Sequence, residues 1–368
     1  MALSRPAHWL ARLVARPSLQ ALAERLPIAS AMARRDGAAI FDLMQGFVAA
    51  QVLAALIELH ILERLLEQEM TADGLALSRG IAPDRMAQLL QAGVALGLLR
   101  QRRGGRYGLA RRGAAILGVP GLPAMIRHNR AFYADMADPV AVLRGEGDTH
   151  LQRFWPYVFG AGVAIGAEEA ESYSDLMAQS QVLVARDTLR MVSLRGVSHL
   201  MDVGGGSGVF LAAALRAQGR LRATLVDLPE VMPSAKARLA GQGLGGRVTL
   251  APGDFRTDAL PQGADAVSLV RVLYDHDDDT VRGLLARVRE ALPVGGRLIV
   301  SEPMSGGPRP DPATDVYFAF YTMAMGTGRV RAPARIAALC EEAGFGQIRV
   351  PRAPRPFITR AVVAVRLA

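Results

Sequence analysis

Tyr274-Asp275-His276 places a phenol, a carboxyl and an imidazole in three consecutive positions, a set suited to accepting or relaying a proton. Glu302, in Ser301-Glu302-Pro303-Met304, adds an acid that can orient a partner or merely end a strand. Asp277, Asp278 and Asp279 follow the triplet directly. Such a run can hold a divalent ion, but it equally suits the positive end of a helix starting at Thr280, so no metal is expected. A second group of residues consists of acceptors next to glycines. Asp202 precedes Gly204, Gly206 and Gly208 in the run Met201–Phe210. Without a Cβ, these glycines let the chain turn tightly and bring backbone N–H groups to a ligand at a helix start. The spacing is GxGxG, short of the full GxGxxG dinucleotide pattern. Asp227 stands 25 residues after Asp202, where an acid can accept both hydroxyl protons of a ribose. Asp254-Phe255 offers an acceptor and an aromatic face that suit an adenine. Three such positions point to an adenosine-containing cofactor.

Those residues need a scaffold that gathers them. From 197 onward apolar strand patterns alternate with helical ones: His199–Val203, Ala223–Asp227, Val248–Pro252, Ala266–Leu273, Arg297–Ser301, Gly346–Val350 and Ala361–Arg366. Helices are expected over Val209–Gln218 and Thr280–Leu292. This is the rhythm of an α/β doubly wound, Rossmann-like sheet, which binds ligands at the carboxyl ends of its strands. The acceptors, Arg271 and the triplet all fall at such ends.

The first half reads differently. Residues 1–35 interleave arginines with Trp9, Leu10, Leu13 and Leu22, as one or two amphipathic helices would. They suit peripheral association with an anionic membrane, packing on a partner, or a plain solvated face. Ala38–Leu66 is helical and too apolar to stay exposed, as in a core or dimer helix. Phe47–Leu59 is its most apolar run, but is too short and too interrupted, by Gln51 and Glu58, to read as a spanning helix. Thr71 caps an expected helix over 72–78, a second runs from Asp84 toward Leu99, and Leu98–Leu109 forms a hairpin around Gly104-Gly105. That order is winged-helix-like. The second helix is rich in Leu and Ala and poor in base-reading side chains, so packing explains it better than nucleic acid does, although a ligand-sensing regulator remains the non-enzyme alternative. Residues 115–195 are mainly helical. Their aromatic run supplies Phe154, Trp155 and Phe159, which with Met177, Phe318, Tyr321, Met323 and Met325 can line an apolar substrate pocket.

The boundaries expected are 1–35, 36–195 and 196–368. The chain has 368 residues, 51% hydrophobic, with a net charge of +9, so it is long enough for two cored domains and is not disordered. One cysteine, Cys340, excludes a disulfide framework and fits a reducing, cytoplasmic setting, and the first 25 residues lack the apolar core of a signal peptide.

With Asp202–Gly208, Leu225–Val231, Gly253–Phe255, Arg271–Asp279, Gly295–Pro303 and Glu341–Phe345 in this order, the chain resembles the S-adenosylmethionine-dependent O-methyltransferases of the plant caffeate and bacterial polyketide type. The likeness spans roughly 38–366. It implies a methyltransferase domain joined to a helical domain that serves homodimerisation and shapes the substrate pocket. Carried over, Asp202, Gly204, Gly206, Asp227, Leu228, Asp254, Phe255 and Arg271 hold S-adenosylmethionine. Most relatives read His-Asp-Trp where this chain reads Tyr274-Asp275-His276, so tyrosine takes the position of their base. Glu302 matches one of two acids flanking that base, and the other falls near Val330. Tyr274 or His276 is then expected to move the proton, with Asp275 or Glu302 orienting. Ala38–Val48, the Phe154–Phe159 run and the Tyr-Asp-His variant are similar to the carotenoid O-methyltransferases of purple bacteria, which methylate the tertiary hydroxyl of 1-hydroxylated carotenoids such as demethylspheroidene. An aromatic polyketide or phenol is the alternative acceptor.

Overall fold

The computed structural model describes residues 5–18, 26–155 and 167–368, with the side chains of 5–8, 10 and 167–177 outside the description. The chain forms two compact units, Met1–Gly118 and Val119–Ala368. The division lies at 118/119, not at the expected 195/196. The reason is packing: the long helix Ala167–Met191, though it precedes the strand–helix alternation, buries Val184 and Ala185 with Leu211 and Leu215 against the sheet. Its Asp187 is fully buried and bidentate to Arg355 at 2.8 Å. Thr188 reaches Ser301, whose hydroxyl also meets Thr359.

In the first unit, α1 (Arg5–Val14) precedes α2 (Pro27–Glu58) and α3 (Ile61–Glu67). The single helix expected over Ala38–Leu66 is thus interrupted, at His60, whose φ of 52° ends one helix and starts the next. By length and composition α2 is apolar enough to cross a membrane, since the helix extends well beyond the Phe47–Leu59 run. Ile40, Phe41, Leu43, Met44, Phe47 and Val48 are exposed on it. Then come β1 (Met70–Thr71), α4 (Ala72–Arg79), α5 (Pro83–Ala95), β2 (Leu99–Gln101) and β3 (Arg106–Leu109). Thr71 caps α4 through Gly74 N–H, as the sequence indicates. The helix α5 buries Met86 and Leu90, and Gly93 lies so close to Leu99 that a Cβ would come within 2.8 Å of it. Two hairpin arginines, Arg102 and Arg106, bond to Glu69.

The second unit carries the sheet. Its strands are β4 (His199–Val203), β5 (Arg222–Asp227), β6 (Val248–Pro252), β7 (Ala266–Val270), β8 (Arg297–Glu302), β9 (Phe345–Arg349) and β10 (Arg360–Arg366), in the order β6-β5-β4-β7-β8-β10-β9. The first five are parallel and β10 runs antiparallel to both neighbours. Parallel strands covered on both faces are buried along nearly their whole length, as β4, β7 and β8 are. Helices Asp278–Ala291 and Pro333–Glu342 cover one face with Leu284, Leu285, Ile336 and Leu339; Val209–Ala217 and Met232–Gly241 cover the other with Leu211, Leu215 and Leu239. Between β5 and β7, β4 is the switch point, where such sheets open a crevice. One expected strand is too long: β7 stops at Val270 because Arg271 adopts φ 58° and leads into a 3-10 turn over Leu273–Asp275.

Replacing Asp187 by Ala leaves the Arg355 guanidinium without its buried partner and should cost about 1–3 kcal/mol in urea unfolding. An unchanged midpoint would show that the long helix is not held to the sheet through this pair.

Candidate active site

A cavity of about 710 Å³ opens at the switch point, and the described residues lining it all belong to the second unit. The glycine turn forms one wall. Gly204 has φ +68°, and a Cβ there would lie 2.8 Å from Val272; a Cβ on Gly205 would lie 2.8 Å from Asp202 Oδ2. Gly206 N–H donates to Asp227 Oδ2 at 2.7 Å and Leu228 N–H to Oδ1 at 2.8 Å, so the carboxylate is aimed by two backbone groups. Asp202 is buried at the base. Its Oδ1 accepts from the Ser268 hydroxyl, while Oδ2 has no partner. Asp254 is bidentate to Arg256, and Phe255 stands beside it on the wall.

The residues read as binding an adenosine cofactor are therefore together: Asp202, Gly204, Gly206, Asp227, Leu228, Asp254, Phe255 and Arg271 all line the cavity. An unpartnered buried carboxylate oxygen and a glycine turn that admits no side chain fit a polar ligand of that kind. Gln181, Glu230 and Arg256 line it as well. Glu230 and Arg256 adjoin motif residues and were within reach of the sequence; Gln181, from the long helix, carried no signal.

The triplet divides. Asp275 and His276 reach the cavity wall, whereas Tyr274 does not. Tyr274 is 3% exposed, and its oxygen receives Arg271 Nη2 at 2.9 Å and Nε at 3.2 Å. Burial pushes its phenol well above its ordinary value, against the opposing guanidinium. A base at position 274 is therefore not what the geometry provides. His276 lies edge-on to Phe255, centroids 5.5 Å apart; burial, then Arg256, brings its pKa down to about 4, so the ring is neutral. Glu302 sits beneath the turn, fully buried, and accepts Tyr274 N–H at 3.1 Å. It orients backbone and does not reach the cavity. Asp277 caps the following helix through Thr280 N–H, and Asp278 pairs with Arg331 and Arg335. Among the described residues no cluster suits a metal ion.

The expected substrate aromatics do not line this cavity. Phe154, Trp155, Tyr321 and Met325 pack with Phe132 and Leu151 into an apolar cluster. Trp155 Nε1 donates to Tyr321 Oη at 2.9 Å, and His128 Nε2 meets the same oxygen at 2.6 Å. Burial brings the pKa of His128 down to about 4, so the ring at this bond is neutral. Phe318 is edge-on to Tyr317 at 5.1 Å, whereas Met323 is 38% exposed and outside the cluster. Phe159 and the Met177 side chain lie outside the described residues.

Burial raises four acids: Asp227 to about 6, Asp202 and Asp275 to about 7, Glu302 to about 8. Each folded pKa exceeds its unfolded value, so the stability it contributes is complete at low pH and is lost as pH rises through the folded value. His128 and His276 act oppositely, but only between about 4 and 6.5. From pH 6.5 to 8.5 the ligand-free protein should therefore lose stability, on the order of 1 kcal/mol per pH unit. A melting temperature that stays flat over that interval would mean the four carboxyls are ionised throughout.

Residues 133–346 match the O-methyltransferase domain, and residues 41–118 match the O-methyltransferase dimerisation domain. A demethylspheroidene O-methyltransferase of Cereibacter sphaeroides is 54% identical over 96% of this chain and 94% of its own length. The Rhodobacter capsulatus enzyme of the same name is 49% identical over 98% and 90%. The solved structure of a mitomycin 7-O-methyltransferase superposes with a TM-score of 0.77 at 25% identity, covering 92% of this chain and 99% of that one. Two domain matches in register, a relative more than half identical across nearly the whole chain, and a switch-point cavity built for an adenosine group agree: the chain belongs to the S-adenosylmethionine-dependent O-methyltransferases.

Proposed function

We propose that this protein methylates the tertiary 1-hydroxyl of an acyclic carotenoid, such as demethylspheroidene or 1-hydroxyneurosporene. The observation that carries the reading is the 54% identity, over 96% of the chain, to a demethylspheroidene O-methyltransferase. Bound S-adenosylmethionine supplies a methyl on a cationic sulfur. In this reading Asp227 accepts the ribose hydroxyls, Phe255 faces the adenine, and the glycine turn and Asp202 hold the remainder. Arg271 and the 274–276 turn mark the acceptor end.

The altered triplet is consistent with an alcohol acceptor. A phenol can be deprotonated by imidazole before attack, whereas an alkyl alcohol is too weak an acid. Its proton leaves during or after methyl transfer, and alignment provides most of the acceleration. Positioning reaches about 7–11 kcal/mol, against roughly 10²–10⁴-fold from a general base. The apolar face exposed on α2 falls largely within the dimerisation-domain match, which supports a homodimer that covers it. The arginines and apolar positions of residues 1–35 support a peripheral, cytoplasmic-side contact with the pigment-bearing membrane.

Two measurements test this. Asp227→Ala should weaken S-adenosylmethionine binding in calorimetry by about tenfold or more, through loss of charge-assisted hydrogen bonds; unchanged affinity removes the ribose role. Labelled S-adenosylmethionine offered with a 1-hydroxylated carotenoid and with a panel of phenols should label the carotenoid. Turnover of phenols alone would overturn the acceptor assignment.

A further inference from the structure

We infer that Asp275 takes the acceptor's proton and that Arg271 and Tyr274 are the pair that positions it, an assignment that rests on the alcohol-methylation reading. Within the triplet only Asp275 and His276 face the cavity, and they face different ends of it. His276 stands against Phe255, with Arg256 and Asp254 as charged neighbours, which is the adenosine end. Asp275 stands with Arg271, whose Nη1 reaches Ser180 Oγ at 3.1 Å and whose guanidinium lies 5.6 Å over the Tyr274 ring. The oxygen of Tyr274 is taken by Arg271, and Arg271 and then Tyr274 hold the Asp275 carboxyl down against the effect of burial. That leaves Asp275 Oδ1 buried with no partner, an acceptor free for a substrate O–H.

The turn cannot carry this oxygen away. Asp275 N–H donates to Val272 O at 3.2 Å, and Asp275 O accepts Thr327 Oγ1 at 2.8 Å. Tyr274 N–H is held by Glu302, and Tyr274 O by Arg329 N–H at 2.7 Å. Arg331 binds Leu273 O and His276 O, each at 2.8 Å. Arg271 itself keeps a left-handed backbone, fixed by its N–H on Ser301 O at 2.8 Å, a conformation that costs energy outside glycine and is maintained where a site requires it.

The chemistry suits a carboxylate. The hydroxyl oxygen forms its bond to the methyl carbon, the carbon–sulfur bond breaks, and its electron pair stays on the sulfur, giving the neutral thioether. The oxygen, now bearing methyl and proton, is a strong acid. Its proton passes to Asp275 and from there to solvent. The charged and titratable groups facing Asp275 are Arg271 and Tyr274 on its own segment and Glu302 from β8. Burial raises its pKa to about 7 while Arg271 opposes, so the carboxylate is available at and above neutrality.

Asp275→Asn tests the assignment. Affinity for S-adenosylhomocysteine by calorimetry should stay within about threefold of wild type, while kcat on the wild-type enzyme's own acceptor falls about 10²–10⁴-fold and the acidic limb of the kcat–pH profile disappears. Tyr274→Phe should move that limb to higher pH, since the Tyr274 hydroxyl holds the Asp275 pKa down, and His276→Asn should lower turnover yet keep the limb. Without any substrate, Asp275→Asn should melt above wild type near pH 8.5 and level with it near pH 5. Survival of the limb in Asp275→Asn, its loss in His276→Asn, or equal melting near pH 8.5 would each overturn the assignment. Absence of wild-type turnover on every hydroxylated acceptor would instead defeat the functional reading, and the substrate-free melting comparison distinguishes the two failures.

Discussion

Carboxyl groups set at the ends of parallel strands buried on both faces are the constraint on which this protein depends. Helices over each face of β4, β7 and β8 remove water from the strand ends, so Asp202 and Glu302 start from a low-dielectric position. A carboxyl there is costly to ionise unless something donates to it or faces it with positive charge. Ser268 supplies a donor to Asp202, Gly206 and Leu228 to Asp227, and Tyr274 N–H to Glu302, with Arg331 nearby. The donors are incomplete: one oxygen of Asp202, of Asp275 and of Glu302 is left without a partner. For Asp202 and Asp275 that oxygen belongs to a cavity-lining residue, where a ligand can complete it.

The same constraint explains the turn after β7. A continued strand would alternate its side chains across the sheet and bury the triplet in a helix layer. The left-handed residue at Arg271 breaks that alternation and points 271, 272, 275 and 276 toward the cavity while 273 and 274 go inward. Residues 327–331 then bond its carbonyls from outside, so the turn is specified by a segment some fifty positions away. Arg331 is 3% exposed and spends its donors on Asp278 and on carbonyls, a structural cation where the resemblance places an acid one residue earlier.

Local patterns were legible where local physics decides. Apolar runs gave the sheet strands nearly to the residue, Thr71 gave its cap, and glycines spaced with Asp227 gave the donor end. What resisted was anything set by distant partners. Residues 115–195 are helical by pattern, and nothing in that pattern says which of them pack on the sheet; Val184, Asp187 and Thr188 do so through residues as far away as Arg355 and Thr359. Tyr274 and His276 looked equivalent, because which of them faces the cavity depends on one backbone angle at Arg271 that no propensity favours. The aromatic run at 154 suggested a pocket, and the polar atoms that hold its described part come from His128 and Tyr321, 193 positions apart.

The proposed transfer of the proton-accepting role from residue 274 to residue 275 has a consequence for specificity. An imidazole at 274 would be placed to pull a proton before attack, which favours acceptors acidic enough to give an anion. Tyrosine at 274, locked by Arg271, cannot do so, and its own burial holds the phenol proton on. The acceptor proposed in its place is the Asp275 carboxylate, weak as a base toward an alcohol but fully adequate toward a methylated, still protonated oxygen. Such a site gains little from an acidic hydroxyl and depends on holding a neutral one in line. The demand on the protein therefore shifts from basicity to packing, and Arg271, which disables residue 274 as a base by holding its oxygen, is itself part of the cavity wall.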